Sequence, residues 1–305
     1  MRNSGKKVSK KEYSVRDVSF QIAPKINAAG RVGRASDAVR LLVEDDQNKI
    51  DSLTAILARN NTERQKKQEE VLKEAMKMGQ DIIRDNPNKH SLVLYSKNWH
   101  SGVIGIVASK ISEEFGRPSV IISIDEDGLG KGSLRTKNGI HLYNVLKGCE
   151  SHLVQYGGHS GAAGITINST ELDNFDNQFE DSIKNYDYES NSTVDADLEI
   201  EFDEIQLSFV DDLKRMEPFG RENPIPVFMT REATVKSIKE FQGKKGHKHL
   251  EIIMEQQGAK QRGVWFGFKS HVSIGDRIDV IYKVQRDTYN SDYGIVLIID
   301  DLKPT

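Results

Sequence analysis

Cysteine is nearly absent from this chain, which has a single one, Cys149. One cysteine cannot form an intramolecular disulfide, and it excludes a zinc site built from several cysteines. No apolar run reaches the roughly 18 residues that a membrane span needs. No apolar stretch follows the basic N-terminus as it would in a secretory signal. These absences predict a cytoplasmic protein without membrane contact.

A large excess of charge of either sign is also missing. The sequence has 43 Lys and Arg against 46 Asp and Glu, a net charge of −3 over 305 residues. Any nucleic-acid site must therefore be a local basic patch. The length suits about two domains, and 37% hydrophobic with 29% charged residues is typical of a soluble globular protein.

The sequence lacks the residues that would hold a catalytic metal pair. Hydrolysis by two metals needs a cluster of Asp and His ligands that places the ions about 3.5–4 Å apart. There is no Asp-His-His, Asp195 and Asp197 fall in an acidic, polar run, and residues 125–127 are typical of a turn. No Walker motif, serine nucleophile elbow or zinc spacing is present. We therefore assign no catalytic and no metal-binding residue.

Apolar periodicity predicts an α/β arrangement in the first two thirds of the chain. We expect helices at 36–42, 103–115 and 142–149, and one long helix or a pair over 46–84. The polar middle of the long segment, 59–70, is typical of a helix that bridges domains or lies in solvent. Strands are predicted at 91–95, 118–124 and 163–167, and a Gly-rich loop or hairpin at 127–135.

A different pattern follows the acidic run near residues 185–203. Short strand-like segments occur at 196–200, 226–230, 233–239, 250–254, 262–266, 277–284 and 294–299. They are separated by turn residues, with one helix at 208–216. This predicts a small β-barrel, and a five-stranded oligonucleotide-binding barrel fits best.

Two Gly-rich motifs could bind phosphate. YGGHSGAAG (156–164) places His159 among four glycines, which suits a phosphate cradle; a tight structural turn is an equal alternative. In GKGSLRT (130–136), Ser133 and Arg135 share one face of an extended segment. A hydroxyl beside a guanidinium suits phosphate, and an ordinary hairpin edge is the alternative.

Three further segments are weaker candidates. In NWHSGVIG (98–105), Trp99 could stack on a base or simply pack, with His100 beside it at the start of a helix. In PKINAAGR (24–31), Lys25, Asn27 and Arg31 lie near a small-residue turn and could contact a phosphate. A solvated polar loop is an equal alternative.

The third weaker segment is a basic loop in the barrel. Lysines there attract the nucleic-acid backbone and aromatic rings stack on bases, although a solvated charge run is the commoner alternative. The lysines are Lys236, Lys239, Lys244, Lys245 and Lys248, interleaved with Phe241, His247 and His249. The later aromatics are predicted to lie in the barrel core: Trp265, Phe266, Phe268, Tyr282, Tyr289 and Tyr293.

Taken in order, these segments resemble the RecJ family of the DHH phosphoesterase superfamily. The landmarks are FQIAPKINAAGR (20–31), WHSGVIGIVASKI (99–111), GKGSLRT, YGGHSGAAG, and EPFGRENPIPVF (217–228) with DYGIVLIIDDLKP (292–304). The resemblance implies four parts. They are the end of a DHH catalytic domain (1–45), a connecting helix (46–88), a DHH-associated substrate-binding domain with a mixed sheet and helices (89–187), and a β-barrel OB-fold (188–305).

The resemblance also implies residue roles. Ser133, Arg135 and His159, with the backbone of Gly157 and Gly158, would hold the terminal phosphate of single-stranded DNA. Asn27 and Arg31 would lie at the seam facing the catalytic domain. The residues themselves, rather than the resemblance, suggest weaker nucleic-acid contacts from Trp99, His100, Lys244, Lys245 and Lys248. Lys25 stands where the family pattern has Arg, and Thr136 where it has Ser.

The implied function is 5′-to-3′ exonuclease action on single-stranded DNA in repair and recombination. In the family a Mn²⁺ or Mg²⁺ pair activates the water, and this chain would supply DNA binding and be inactive alone. Expected partners are single-stranded DNA and a separate DHH catalytic chain or a single-strand-binding protein. Three alternatives remain: a non-catalytic binding subunit of a split nuclease, a relative acting on short RNA or cyclic dinucleotides, and a gene remnant. The predicted barrel argues against the second.

Overall fold

The computed structural model describes residues 13–136, 139–186, 195–243, 248–268, 271–287 and 294–305. The chain divides into two compact units, residues 1–191 and 192–305. The predicted fold class is confirmed: the first unit contains a mixed sheet with helices, and the second a closed five-stranded barrel.

The first unit begins with a run of helices. They are α1 (Val15–Asp17), a π-helical turn (Val18–Ile22), α2 (Ala23–Val32) and α3 (Ala35–Val43). The turn or loop predicted around 24–31 is wrong, since α2 covers it. Pro24 lies in the first turn of α2, where the missing N–H costs no helical hydrogen bond.

Helix α4 (Gln47–Asp85) is one continuous helix of 39 residues, about 58 Å long at 1.5 Å per residue. Asp46 caps it by accepting from the backbone N–H groups of Asn48 and Lys49. Its buried residues lie in two groups, Leu53 and Leu57 near one end and Val71, Ala75 and Gly79 near the other. None of residues 58–70 between them is buried, as the polar sequence there predicted.

The sheet of the first unit has the strand order β1-β2-β3-β5-β4. Only β1 and β2 are parallel among these neighbours. The elements are β1 (Leu92–Ser96), α5 (Ile104–Phe115), β2 (Ser119–Ile124), β3 (Leu129–Arg135), α6 (Leu142–Lys147), β4 (Gln155–Gly158), β5 (Ala162–Asn168) and α7 (Leu172–Lys184), with 3₁₀ turns at Glu150–His152 and Ser169–Glu171.

Two cores cover the two faces of this sheet. One contains Leu134 and Ile165 with the α7 rings Phe175 and Phe179. The other contains Ile121 with residues of α4 and α5. Ser133 alternates with Leu134 along β3 and therefore points to the face on which α5 packs. That alternation places the site described below beside α5.

The second unit is a barrel of β7 (Phe228–Gln242), β8 (Lys248–Gln256), β9 (Ala259–Phe266), β10 (Arg277–Arg286) and β11 (Ile295–Pro304). The order β10-β11-β9-β8-β7 closes through pairing of β10 with β7. A short strand β6 (Leu198–Glu199), a 3₁₀ turn (Phe202–Glu204) and α8 (Leu207–Arg215) precede it.

The barrel core includes two of the aromatic residues predicted there. Trp265 and Tyr282 are buried, and Phe268 packs against the core. The Tyr282 hydroxyl and the Thr230 hydroxyl are hydrogen-bonded at 2.6 Å. Phe266 was wrongly placed in the core, since it is 54% exposed; it follows Trp265 along β9 and so points to the opposite face. Tyr289 and Tyr293 lie outside the described residues.

Candidate phosphate-binding site

Ser133 and Arg135 lie on one face of β3, as their spacing predicted. Ser133 pairs with Gly164 of β5, which pairs with Gly157 of β4. Residues opposite each other in a ladder point to the same side, so Gly157 adds no side chain to the face that carries Ser133. An added Cβ at Gly157 would meet no atom within 4 Å. The sheet therefore has an open, flat surface next to Ser133.

Gly158 and His159 form the turn after β4. Gly158 has a φ of +152°, and an added Cβ would lie 2.4 Å from the carbonyl oxygen of Ala162, so only glycine fits here. The backbone N–H of His159 donates to the same carbonyl at 2.9 Å. Ala162 pairs with Arg135 of the neighbouring strand β3. The exposed His159 therefore lies near the end of β3 that carries Arg135. The Gly-rich motif thus forms a β-hairpin of β4 and β5.

Three glycines bring four segments of the first unit together at this point. An added Cβ at Gly105 in α5 would lie 3.2 Å from both the Ser133 hydroxyl and Arg135 Nη2. One at Gly102 would lie 2.1 Å from the Arg31 carbonyl oxygen, and one at Gly33 would lie 2.3 Å from Asn60 Nδ2. The end of α2, the middle of α4, the start of α5 and β3 therefore meet because these positions have no side chain.

Arg31 joins α2 to the turn before α5. Its Nη1 donates to the Gly102 carbonyl at 3.1 Å, while the Gly102 N–H donates to Nδ1 of His100 at 3.0 Å. Because Nδ1 accepts, the proton of a neutral His100 is on Nε2, which is left as a donor. Asn27, one helical turn before Arg31, is exposed. Arg31 thus lies against the turn that carries His100.

Three arginines, Arg31, Arg64 and Arg135, contribute positive charge to this part of the first unit. Burial lowers the pKa of Arg135, and the nearby charge of Arg31 lowers it further. The pKa of Arg64, in the middle of α4, is lowered by burial and then by Arg31. A guanidinium carries a positive charge at neutral pH. None of the three has a carboxylate within ion-pair distance among the described residues, so the site holds positive charge that an anion would compensate.

Neutral groups hold two of these arginines in place. Arg135 Nη1 donates to the Ser133 hydroxyl at 3.0 Å and to the Leu134 carbonyl at 2.6 Å. Arg64 donates to the side-chain oxygens of Gln68 at 2.6 Å and Asn61 at 2.9 Å. These acceptors orient the guanidiniums without cancelling their charge. The sequence analysis missed Arg64, because nothing in the local pattern of α4 distinguishes it from the other charged residues of the polar middle.

Trp99 does not fit its predicted contact with a base. Its side chain is 4% exposed, and its Nε1 donates to Glu74 of α4 at 2.7 Å. The Ser123 hydroxyl donates to its carbonyl at 2.6 Å. A buried indole cannot stack on a base, so the packing alternative fits Trp99.

The barrel carries a separate candidate surface. Lys236 is paired with Glu255 and Lys248 with Glu240, which favours the solvated alternative for this charge run. Lys244, Lys245 and His247 lie outside the described residues.

Three rings form a row on β7, β8 and β9. Phe241 pairs with His249, and His249 with Phe266. The ring centroids are 5.3 and 5.0 Å apart. With Phe266 54% exposed, this aromatic row is suited to stacking on bases.

Within the described residues, no group of three or more His, Cys, Asp or Glu side chains could hold a metal ion. Nor does any helix in the described part of the chain have the length and apolar character to cross a membrane.

Two family models match the chain. Residues 88–185 match the DHHA1 domain, and residues 196–301 match the RecJ OB domain. The single-stranded-DNA-specific exonuclease RecJ of Bacillus subtilis is 29% identical over 294 residues, which are 95% of this chain and 37% of that protein. The RecJ of Haemophilus influenzae is 26% identical, over 96% of this chain and 52% of its own length.

The fold also matches a solved RecJ structure. RecJ from Thermus thermophilus, crystallised in complex with Mn²⁺, superimposes with a TM-score of 0.77 at 26% identity, over 95% of this chain and 42% of that chain. A form in complex with Mg²⁺ matches with a TM-score of 0.75. This chain therefore spans about half, or less, of the length of these relatives.

Proposed function

Because this chain belongs to the RecJ family and contains its DHHA1 and OB domains, we propose that it binds single-stranded DNA by the 5′-phosphate for a RecJ-type 5′-to-3′ exonuclease of DNA repair and recombination. The observation that carries the proposal is the pair formed by Arg135 and the Ser133 hydroxyl on one face of β3, next to Gly105 of α5, with no described carboxylate paired to Arg135. A dianionic terminal phosphate matches such a site better than a single diester does.

Each residue at the site would make a different contact with the DNA strand. Arg135 and Arg31 would each direct N–H groups at the phosphate oxygens, and the Ser133 hydroxyl would add a donor. His159 and His100 lie at the margins, where each could donate to the next phosphate, and Asn27 extends the α2 side. The bare backbone at Gly157 and Gly158 would let the strand approach closely.

The barrel would hold the strand farther along. The row formed by Phe241, His249 and Phe266 supports stacking of successive bases without sequence preference. Lys248 is a weaker contact because Glu240 already pairs with it. The contacts proposed for Lys244 and Lys245 rest on the sequence alone.

The chemical step would need groups that the described residues do not provide. The Mn²⁺ or Mg²⁺ of the family, when bound, would activate the attacking water, but no cluster among the described residues fits such an ion, and no step through it is derived. We propose that residues 1–45 are the end of a DHH catalytic domain and that the chain acts with a DHH catalytic part. Val39, Leu42 and Val43 of α3 are 61%, 69% and 75% exposed, which supports a protein partner on that face.

A second candidate function is a non-catalytic subunit that binds single strands for a separate nuclease chain. The absence of a metal-binding cluster among the described residues favours it. A cytoplasmic setting and a single-strand-binding protein as partner stay predictions of the sequence.

The test compares a 5′-phosphorylated and a 5′-hydroxyl oligo(dT) in binding and in Mn²⁺-dependent degradation. Wild type is expected to bind the phosphorylated strand more tightly, and Arg135→Ala to lose most of that difference. Equal loss on both strands would contradict the 5′-phosphate role. Binding without degradation would favour the non-catalytic subunit, and degradation that persists after repurification would show that metal ligands exist in this chain.

A further inference from the structure

The sheet face that carries Ser133 continues beyond it as a second polar row. Lys131 lies two residues before Ser133 on β3 and therefore points to the same side. It pairs with Thr166 of β5, which pairs with Gln155 of β4. Because residues opposite each other in a ladder share a face, an ammonium, a hydroxyl and an amide follow one another across three strands, next to the Ser133 row.

The surface between the two rows is open. Lys131 and Gln155 are exposed. An added Cβ at Gly157 would meet no atom within 4 Å, and one at Gly164 would meet only a backbone oxygen, at 3.8 Å. These residues line a shallow cavity of about 400 Å³. A ligand held at Ser133 could therefore extend along the sheet toward Lys131 without displacing a side chain.

The chemistry of the second row suits an anion. Lys131 has no ion-pair partner among the described residues, and the other two members of the row, Thr166 and Gln155, are neutral donors. Two residues of a strand span about 7 Å, and the flexible stem of a lysine can shorten that gap. An anion bound at Lys131 would thus lie next to a phosphate at Ser133 and could belong to the same ligand.

The two directions along β3 differ. At the Arg135 end, Gly105 of α5 lies against Arg135, and Arg31 meets the turn before α5. Under the proposed function the DNA strand leaves on that side, because Arg31 belongs to the seam with the catalytic part. In the other direction the sheet is bare up to Lys131. A group attached to the terminal phosphate on the side away from the strand would therefore run toward Lys131, and further phosphates have the charge that this lysine matches.

We propose that Lys131, with Thr166 and Gln155, binds the outer phosphates of a 5′-polyphosphate, so that the site takes nucleotides and strands that begin with a di- or triphosphate as well as with a monophosphate. The inference rests on the proposed function, since it assumes that Ser133 and Arg135 hold the first phosphate. It adds a residue that distinguishes 5′ ends by their number of phosphates.

The experiment measures competition by thymidine 5′-mono-, di- and triphosphate against a labelled 5′-phosphorylated oligo(dT), with the full chain at low salt and with EDTA, so that no metal masks the phosphate charge. Wild type is expected to bind the triphosphate roughly 10- to 100-fold more tightly than the monophosphate, the scale of one charge-assisted hydrogen bond. Lys131→Gln is expected to remove most of that preference and to leave the monophosphate unchanged, whereas Lys131→Arg should keep the preference.

Two controls separate this inference from the proposed function. Lys184→Gln removes the same charge at an exposed position of α7, which packs on the opposite face of the sheet, and should change none of the three nucleotides. Arg135→Gln should weaken all three, because they share the first phosphate.

The inference is wrong if wild type binds the three nucleotides alike, if Lys131→Gln keeps the preference for the triphosphate, or if Lys184→Gln lowers that preference equally. In each of these cases the proposed function stands as long as the monophosphate still binds and depends on Arg135. If wild type binds no phosphorylated ligand, the proposed function fails and this inference with it.

Discussion

Gly102→Ala tests whether the docking of α2 on the turn before α5 positions Arg31. An added Cβ would lie 2.1 Å from the Arg31 carbonyl oxygen, whereas carbon–oxygen contacts are rarely below about 3.3 Å. The two backbones must therefore separate by about 1.2 Å. Because the atom in the way is backbone, a side-chain rotation cannot relieve the contact. Arg31 would then move away from Arg135 and Ser133.

The expected effect is the loss of one charge-assisted phosphate contact, about 1.5–3 kcal/mol, or roughly 10- to 100-fold in affinity. Fluorescence anisotropy with 5′-phosphorylated and 5′-hydroxyl oligo(dT) should show the larger loss on the phosphorylated strand. Thermal unfolding recorded in parallel would show how much stability the variant loses.

Gly30→Ala is the matched control. Gly30 is in α2, one residue before Arg31, and an added Cβ there would meet only the Ala35 Cβ at 4.0 Å. Alanine should stabilise the helix by about 0.5–1 kcal/mol and leave binding unchanged. If Gly102→Ala stays folded and binds the phosphorylated strand as wild type does, the position of Arg31 does not matter and the reasoning about the glycine contacts is refuted.

Three further variants test other parts of the structure. Phe266→Ala should weaken binding of single strands by about 1–3 kcal/mol, equally with and without a 5′-phosphate. Ile274→Ala, at an exposed position in the same unit, should leave binding unchanged. A loss of affinity confined to phosphorylated strands would contradict the stacking role. Gly158→Ala should destabilise the first unit by about 1–3 kcal/mol in urea unfolding, because its Cβ would meet the Ala162 carbonyl; an unchanged midpoint would contradict that contact. Burial alone would raise the pKa of Glu180, but hydrogen bonds from Ser91 and His90 outweigh it and lower the pKa below 4.5. The ionised carboxylate therefore stabilises the fold above the unfolded pKa, and that stability is lost as the pH falls through the folded pKa. Glu180→Gln should lower the free energy of unfolding by about 1–2 kcal/mol at pH 7 and by progressively less as the pH falls below the unfolded pKa. A stability difference between variant and wild type that does not change with pH would contradict the assignment.

Long periodic segments were well predicted from the sequence. The helix over residues 46–84, the helix over 103–115 and the barrel strands all follow from apolar spacing, except that the strands predicted at 226–230 and 233–239 form the single strand β7. The shared face of Ser133 and Arg135 followed from the two-residue period of a strand.

What the sequence could not predict depends on tertiary contacts. Strand β4 (Gln155–Gly158) contains two glycines, which disfavour strands, and it forms because β5 pairs with it. Helix α7 (Leu172–Lys184) was missed although Leu172, Phe175, Phe179 and Ile183 recur at helical spacing, because they are set among acidic and amide residues. The packing of α2 on α4, which sets Gly33 against Asn60, is contained in no local pattern.

The polar middle of α4 has a consequence for amide hydrogen exchange. Residues near Leu57 and Val71 are anchored by separate cores, while the segment between them is held by helical hydrogen bonds and few buried contacts. The cost of opening this segment locally is therefore lower than at either anchored end. Its amides should exchange before those of the two ends. The stretch that joins the two anchored ends of α4 is thus where local opening of the helix would be most visible in exchange rates.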